Sequence, residues 1–172
     1  MPKKSTAPET TRHCKSCKTD LPIEQFEVYR KGGIRGVCNK CKYQQRRDHD
    51  AKSPESYLTR LAIRLKSSRR KTHDWRLTPK DLHEIWYRQE GRCALSGVHL
   101  THHIDGRGVK EFNASVDRIN NDIHYEPQNV QLVAYRINIM RHTLSEDMFW
   151  WWVKTIHDNF YEKQTKAAKT TD

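Results

Sequence analysis

Residues Phe112 to His142, FNASVDRINNDIHYEPQNVQLVAYRINIMRH, carry the pattern that decides the fold of this chain. Phe112 to Asp117 alternates apolar and polar side chains, as a half-buried strand does. A segment dense in Asn, Asp and Pro follows, and these residue types favour turns. Alternation resumes from Asn129 to Val133, and beyond Ala134 the apolar residues fall at helical spacing. The sequence therefore predicts a strand, a loop, a second strand and a helix.

Three polar residues lie at the joints of this predicted unit. Asp117 ends the first strand, Asn129 begins the second, and Asn138 lies one turn into the helix. A carboxylate and a carboxamide oxygen that converge from a strand and a helix form a hard-oxygen site, which suits Mg²⁺. Any one of these residues alone is as typical of a turn or a backbone cap. The ordered set at this spacing favours a metal site.

The pattern S-V-D-R-I…Y-x-P-x-N-V-x-L-V…N resembles the ββα-metal core of HNH endonucleases, in the D-R variant of phage proteins and PacI-like restriction enzymes. The resemblance covers residues 92–160, and the N-terminal cysteines extend it. It implies an α+β fold with a small ββα-metal (HNH) core and flanking helices. It also implies that Asp117 and Asn138 hold Mg²⁺ or Mn²⁺ and that Asn129 braces the loop. For the oligomeric state it implies a homodimer, with a monomer that nicks, as in homing enzymes, as the alternative.

The chain departs from the common HNH pattern at Arg118, where most members place the histidine that acts as general base. Arginine stays protonated and cannot accept a proton, but it can grip the scissile phosphate as a bidentate donor. His142, four residues after Asn138, is either a further metal ligand or a surface residue of the helix. The candidate bases, of which the first two are narrowly favoured, are His102, His103, His124 and Tyr125.

Five cysteines include two Cys-x-x-Cys pairs, Cys14 with Cys17 and Cys38 with Cys41, and 20 residues separate the pairs. Each pair aims two thiolates at one point, and two pairs complete a tetrahedral Zn²⁺ site. Four thiolates leave no open position, so the sequence predicts one structural zinc in a zinc-ribbon-like module. The further cysteine ligands of PacI-like relatives are replaced here by Ser96, Ala134 and Ile137.

A net charge of +11 over 172 residues indicates a polyanionic partner, double-stranded DNA rather than a membrane. Residues 1–76 hold 20 Lys and Arg against 8 Asp and Glu, whereas residues 77–172 hold 12 against 13. We assign the DNA backbone contacts to the basic helix that Ser53 and Pro54 begin, and to the residues just beyond it. These contacts are Arg60, Arg64, Lys66, Arg69, Arg70, Lys71 and Arg76.

Two further helices are predicted. The sequence from Thr78 to Asp81 is a capping box that starts the first of them. The second follows Ser145 and carries an apolar face that includes Trp152, for which we predict core packing. The neighbouring Trp150 and Trp151 cannot share that face, so we expect one or both to be partly exposed, as a subunit contact, a DNA-stacking platform or the rim of a small core.

The predicted organisation is a flexible tail at 1–11, a four-cysteine zinc module at 12–52, a basic helix and linker at 53–76, the HNH nuclease domain at 77–163 and a flexible tail at 164–172. No apolar run reaches membrane-spanning length, and the N-terminus lacks the apolar core of a signal peptide. Paired cysteines for a metal fit a reducing compartment. We therefore expect an intracellular protein, in the bacterial cytoplasm if a phage encodes it.

These features together predict a metal-dependent HNH endonuclease that hydrolyses DNA. The rival from another class is a non-catalytic, zinc-containing DNA-binding protein with a degenerate HNH core, which Arg118 keeps open. A structural RNA-binding zinc protein fits the charge but does not require Asp117 and Asn138. The recognition sequence, nicking versus double-strand cleavage, and a restriction, homing or other phage role stay open.

Overall fold

The computed structural model describes residues 10–29, 31–69, 71–103 and 110–169, with side chains described as far as Gln164. The chain divides into two compact units, Met1–Lys52 and Ser53–Asp172. The described residues form five α-helices and three two-stranded antiparallel sheets, which confirms the α+β class. Arg70, one of the expected DNA contacts, lies outside the described residues.

The first unit contains two hairpins followed by a helix. β1 pairs with β2 and β3 pairs with β4, and Gly32 and Gly33 turn the chain between the last two strands. Both glycines have a positive φ, +80° and +85°, which glycine adopts without a Cβ clash. Its elements are β1 (Thr11–His13), β2 (Asp20–Pro22), a 3-10 turn (Ile23–Gln25), β3 (Phe26–Val28), β4 (Ile34–Cys38) and α1 (Asn39–Ala51).

The second unit contains the predicted strand, loop, strand and helix as β5, β6 and α4. β5 and β6 are antiparallel, and Asp117 lies directly opposite Gln131. The 3-10 turn at the end of the intervening loop leads straight into β6. The elements of the unit are α2 (Pro54–Arg69), α3 (Pro79–Arg88), β5 (Ala114–Arg118), a 3-10 turn (Pro127–Asn129), β6 (Val130–Ala134), α4 (Tyr135–Arg141) and α5 (Glu146–Lys169).

The core of the second unit joins the β5–β6 hairpin to the apolar faces of α2 and α3. Leu58 and Leu61 of α2 and Leu82 of α3 are buried together with Leu132 of β6. The Tyr57 hydroxyl of α2 donates a hydrogen bond of 2.8 Å to the Ala114 carbonyl oxygen, at the start of β5. This bond and the shared core set α2 alongside β5.

The predicted capping box starts α3. The amide of Thr78 donates to Asp81 Oδ2 at 2.6 Å, and the amide of Asp81 donates to Thr78 Oγ1 at 3.3 Å. Two backbone donors at the start of the helix are thereby satisfied. The helix ends at Arg88, and its buried face includes Leu82 and Ile85.

Two expectations about apolar residues differ from the structure. β5 begins at Ala114, so Phe112 precedes the strand and is exposed. On α5, Phe149 is buried and Val153 packs against the core, but Trp152 is 46% exposed, and Ile156 is also exposed. The prediction of core packing for Trp152 is wrong: because Val153, the next residue, still packs against the core, Trp152 lies beside the buried face of α5 and not on it. The helix continues to Lys169, so residues 164–169 are helical.

In the part of the chain that the structure describes, no helix is both long and apolar enough to cross a membrane.

Candidate active site

A groove with a volume of about 740 Å³ lies between α2 and the ββα unit. Its lining includes cationic side chains from α2, Asp117 and Arg118 from β5, and Asn138 from α4. The α2 cations are Arg60, Arg64 and Arg69. The groove therefore brings part of the expected DNA-binding set together with both expected metal ligands.

The Asp117 carboxylate is held by two side chains. Arg141 Nη1 donates to Oδ1 at 2.8 Å and to Oδ2 at 2.9 Å, and Gln131 Nε2 donates to Oδ2 at 3.1 Å. Asp117 is 4% exposed and Arg141 is 0% exposed. The negative charge at the floor of the groove is thus compensated inside the protein, by a residue that our sequence reasoning missed.

Arg141 also ties α4 to the end of β5. Its Nη1 donates to the Arg118 carbonyl oxygen and its Nη2 to the Ile119 carbonyl oxygen, both at 2.8 Å. A buried guanidinium requires a carboxylate and carbonyl acceptors to offset the loss of its hydration. Arg141 lies three residues after Asn138, and this spacing is the sequence signal that places both side chains against β5.

Asn138 is oriented by its amide nitrogen. Nδ2 donates to Ser115 Oγ at 2.7 Å and to the Val116 carbonyl oxygen at 3.2 Å. Among the described residues, none donates a hydrogen bond to Asn138 Oδ1. That oxygen is therefore the atom available to a ligand, and with the Asp117 carboxylate it makes a set of hard oxygen donors that fits Mg²⁺ or Mn²⁺.

Asn129 binds the loop between β5 and β6. Its Nδ2 donates to the carbonyl oxygens of Asn120 at 2.9 Å and His124 at 3.1 Å, and its Oδ1 accepts from the Asn120 amide at 2.9 Å. Three hydrogen bonds from one buried side chain fix the start and the end of this loop. The loop in turn carries Tyr125, which lines the groove.

Arg118 is anchored at the same loop. Its Nη1 donates to the carbonyl oxygens of Asn121 at 2.8 Å and Ile123 at 3.2 Å. Its guanidinium carbon lies 5.1 Å from the centre of the Tyr125 ring, a cation–π arrangement. Trp75 and His73 pack against the same ring, with centroids 5.0 Å and 5.5 Å away.

The structure separates the candidate bases. His102 and His103 are not among the described residues that line the groove; the His102 ring lies edge-on to Trp86, 6.4 Å away, and burial lowers the pKa of His102. His124 is also absent from the described lining of the groove, and its Nδ1 accepts a hydrogen bond from the Asp74 amide at 3.2 Å. Of the groups considered as bases or ligands beyond Asp117 and Asn138, Tyr125 and His142 are the two that line the groove.

His73 is a further titratable residue that sequence reasoning missed. Burial lowers the pKa of His73, and the nearby positive charges of Arg118 and Arg69 lower it further. The imidazole is therefore biased toward its neutral form behind Tyr125. No local pattern signals this residue, because its neighbours come from other elements of the chain.

The expected DNA-binding residues also divide. Lys66, Lys71 and Arg76 are not among the described lining of the groove. Arg76 Nε donates to Asp74 at 2.8 Å and its Nη1 to Glu126 at 3.3 Å, and these carboxylates raise the pKa of Arg76. Its charge is thus largely compensated within the protein.

In the first unit, the sulfur atoms of Cys14, Cys17, Cys38 and Cys41 all lie within 4.8 Å of one another. A tetrahedral site with Zn–S bonds of about 2.3 Å places its sulfurs about 3.8 Å apart, so the cluster can hold a metal ion such as zinc. The Cys38 amide donates to Cys14 Sγ at 3.3 Å. This bond is the main cause that lowers the pKa of Cys14 to about 6, which favours the thiolate form that metals bind.

Cys41 shows the opposite balance. A hydrogen bond from Ser16 lowers the pKa of Cys41, but the neighbouring cysteines and burial outweigh it and raise the pKa to about 11. Without a metal ion, the cluster therefore favours a thiolate at Cys14 and a protonated thiol at Cys41. A bound metal ion removes this difference, because it coordinates all four as thiolates.

No protein-family model matches this sequence. No sequence among the curated proteins matches it. Among solved structures, the chain is similar to the rare-cutting HNH restriction endonuclease PacI, with 17% sequence identity and a TM-score of 0.41. The match covers 89% of this chain and 98% of the PacI chain.

Proposed function

We propose that this protein is a metal-dependent DNA endonuclease of the HNH type, which hydrolyses phosphodiester bonds. The observation that carries the proposal is the lining of one groove. Asp117 and Asn138 meet there from β5 and α4 of a ββα unit, beside a row of cationic side chains from α2. Hard oxygen donors next to cations are what a metal ion and a phosphate need together.

The metal ion would be held by the Asp117 carboxylate and by Oδ1 of Asn138. A divalent ion such as Mg²⁺ or Mn²⁺ supplies stabilisation of the negative charge that develops on the leaving oxygen. An ionised carboxylate offers about four lone-pair positions. The bonds from Arg141 and Gln131 occupy three of them. A coordination position on Asp117 is therefore left for the ion.

The remaining groups of the groove position the phosphate and accept a proton. Arg118 uses Nη1 for two carbonyl oxygens of the loop, so its Nε and Nη2 are the donors left for a phosphate oxygen. In hydrolysis, water adds to phosphorus, the bond to the leaving oxygen breaks, and the water loses a proton. Of the groups considered above as bases or ligands, Tyr125 and His142 are the described ones that line the groove beside Asp117 and Asn138 and could accept that proton.

We assign a structural Zn²⁺ to Cys14, Cys17, Cys38 and Cys41, and double-stranded DNA as the partner. A zinc site of four thiolates fits a reducing, intracellular compartment. A homodimer would produce double-strand breaks and a monomer would produce nicks. The ratio of linear to nicked plasmid in the assay below therefore reports on the oligomeric state.

The test is cleavage of supercoiled plasmid and of long genomic DNA of mixed sequence, with Mg²⁺ or Mn²⁺ and with an EDTA control. We expect metal-dependent cleavage by the native protein and none by Asn138→Ala, which removes one metal ligand. The matched control is Asn121→Ala. Asn121 also lines the groove, and its Nδ2 donates to two carbonyl oxygens, those of Thr143 and Leu144, at 3.1 and 3.2 Å.

Cleavage that survives in Asn138→Ala, or that persists in EDTA, would contradict the proposal.

The Asp117–Arg141 ion pair favours a second candidate function, a DNA-binding protein without catalysis, because a compensated carboxylate attracts a cation less strongly. Under that alternative, the native protein binds DNA in a salt-dependent way and cuts none of the substrates with either metal ion.

A further inference from the structure

We propose that Arg64 and Lys110, together with Arg60, form a phosphate subsite that grips the DNA backbone beside the bond that is cleaved. The proposal rests on the proposed function, because that function defines which bond is cleaved. It concerns a different part of the groove from the oxygen donors. The ligand is a phosphodiester of the DNA strand that is cleaved, other than the one that is cut.

The two ends of the groove follow from the way α2 lies along β5. Tyr57, in the first turn of α2, bonds to Ala114 at the start of β5. Lys110, which precedes β5, lies close enough to Arg60 and Arg64 for both to act on its charge. Toward the C-terminal end of α2, Arg69 and Arg118 both act on His73. The Arg60, Arg64 and Lys110 end is thus the one near the start of β5.

The subsite is separated from the metal donors along β5. Lys110 precedes the strand, whereas Asp117 lies near its end, three residues or about 10 Å beyond Ala114. One DNA strand advances about 3.4 Å per nucleotide along the helix axis, so the two positions hold different phosphates. The subsite is therefore distinct from the phosphate that Arg118 is placed to hold.

The charge balance of the groove calls for an anion at this end. Among its described lining residues there are five cations and a single carboxylate, Asp117, which Arg141 already binds. In the described part of the chain, neither Arg64 nor Lys110 forms an ion pair with a carboxylate. The acidic neighbour of Lys110, Glu111, is held instead by Arg136 at 2.6 and 2.5 Å.

The environment of Lys110 supports the same conclusion. Burial lowers the pKa of Lys110, and the like charges of Arg64 and Arg60 lower it further. In the free protein, three cationic groups thus lie close together, and their repulsion destabilises the charged form of Lys110. A phosphate among them would offset the repulsion and restore the ordinary pKa of Lys110.

The experiment measures metal-free DNA binding, so it does not depend on cleavage. A fluorescein-labelled 16-base-pair duplex of mixed sequence is titrated in EDTA between 50 and 200 mM KCl, and binding is followed by fluorescence anisotropy. Arg64→Gln removes one phosphate contact, so the slope of log K against log[KCl] should become shallower by about 0.9. The matched control is Lys80→Gln on α3, an exposed lysine that is neither an expected DNA contact nor part of the groove lining, and its slope should equal that of the native protein.

Equal slopes for Arg64→Gln and Lys80→Gln would overturn the subsite. If Arg64→Gln makes the slope shallower while the native protein cuts no DNA, the subsite binds DNA but the proposed function fails. If the native protein cuts DNA, Arg64→Gln should raise KM and leave kcat unchanged, because the contact is made equally in the ground and transition states. A fall in kcat at saturating DNA would show that Arg64 acts on the scissile phosphate itself, and would also overturn the subsite.

The pH dependence of binding is a second, independent readout. As the pH rises through the lowered pKa of Lys110, the lysine loses its charge. DNA affinity should therefore begin to fall at a pH below the ordinary lysine pKa of about 10.4. Lys110→Arg should keep its affinity over the same range, since arginine stays protonated. Lys80→Arg serves as the control and should lose affinity as the native protein does. A parallel loss in native protein and Lys110→Arg would contradict the role of Lys110.

Discussion

Replacement of Asp117 by asparagine is expected to destabilise the second unit by about 3–5 kcal/mol. Arg141 is fully buried, and Asp117 is the carboxylate that compensates its charge. Removing the carboxylate leaves an uncompensated guanidinium in the interior, which is the costly case for a buried ion pair. The free energy of unfolding can be measured in urea by tryptophan fluorescence, because all five tryptophans lie in the second unit.

A double-mutant cycle tests this explanation. Arg141→Gln removes the positive charge but keeps N–H donors for the carbonyl oxygens that Arg141 binds. The double variant Asp117→Asn/Arg141→Gln exchanges two charges for two amides, so we expect it to be more stable than Asp117→Asn alone. A coupling energy of about 2–3 kcal/mol is expected. Single effects that add without coupling would show that the ion pair does not account for the destabilisation.

The same cycle separates catalysis from folding. Asp117→Asn should lose cleavage, but in that variant the loss has two causes, a missing metal ligand and a less stable unit. The double variant should be folded, should bind DNA in EDTA as the native protein does, and should still cut no DNA. Native levels of cleavage by the folded double variant would show that Asp117 does not hold the catalytic metal ion.

The local features of the fold were predictable because each depends on residues close in sequence. The alternation of β5 and β6, the helical spacing of α4 and the capping box of α3 all follow from periods of two to four residues. The four cysteines follow from the geometry of the Cys-x-x-Cys turn, and their sulfurs lie together in the structure. Each of these patterns lies within a few residues along the chain, and for the cysteines this holds within each pair.

The features that the sequence did not reveal depend on contacts between distant segments. An arginine in the last turn of a helix is typically exposed and favoured by the helix dipole, yet Arg141 is buried against Asp117, 24 residues away. Arg76, expected to bind DNA, meets Glu126, 50 residues away. His102, one of the two favoured candidate bases, lies against Trp86 and outside the described lining of the groove. Periodicity assigns a residue to a face and does not identify what covers that face.

Loss of the metal ion from the cysteine cluster is expected to unfold the first unit and leave the second folded. The core of the first unit is small: its fully buried members are Cys14, Phe26 and Cys38, and two of these are cluster residues. A chain segment of this size rarely folds on apolar burial alone. Structural zinc contributes about 10–16 kcal/mol of binding free energy at neutral pH, comparable to or larger than the whole stability of a typical domain.

Cys14→Ser removes one thiolate and the sulfur that accepts the Cys38 amide, so it should lose both zinc and structure in residues 10–52. Amide hydrogen exchange, followed peptide by peptide, resolves the two units, and zinc content is measured on the same samples. Cys93→Ser is the matched control, because Cys93 is also a buried thiol but lies outside the cluster. It should keep one zinc per chain and full protection of the first unit. Unchanged protection of residues 10–52 in a metal-free Cys14→Ser sample would show that the hairpins and α1 fold without the ion. The cluster would then not be the element that stabilises the unit.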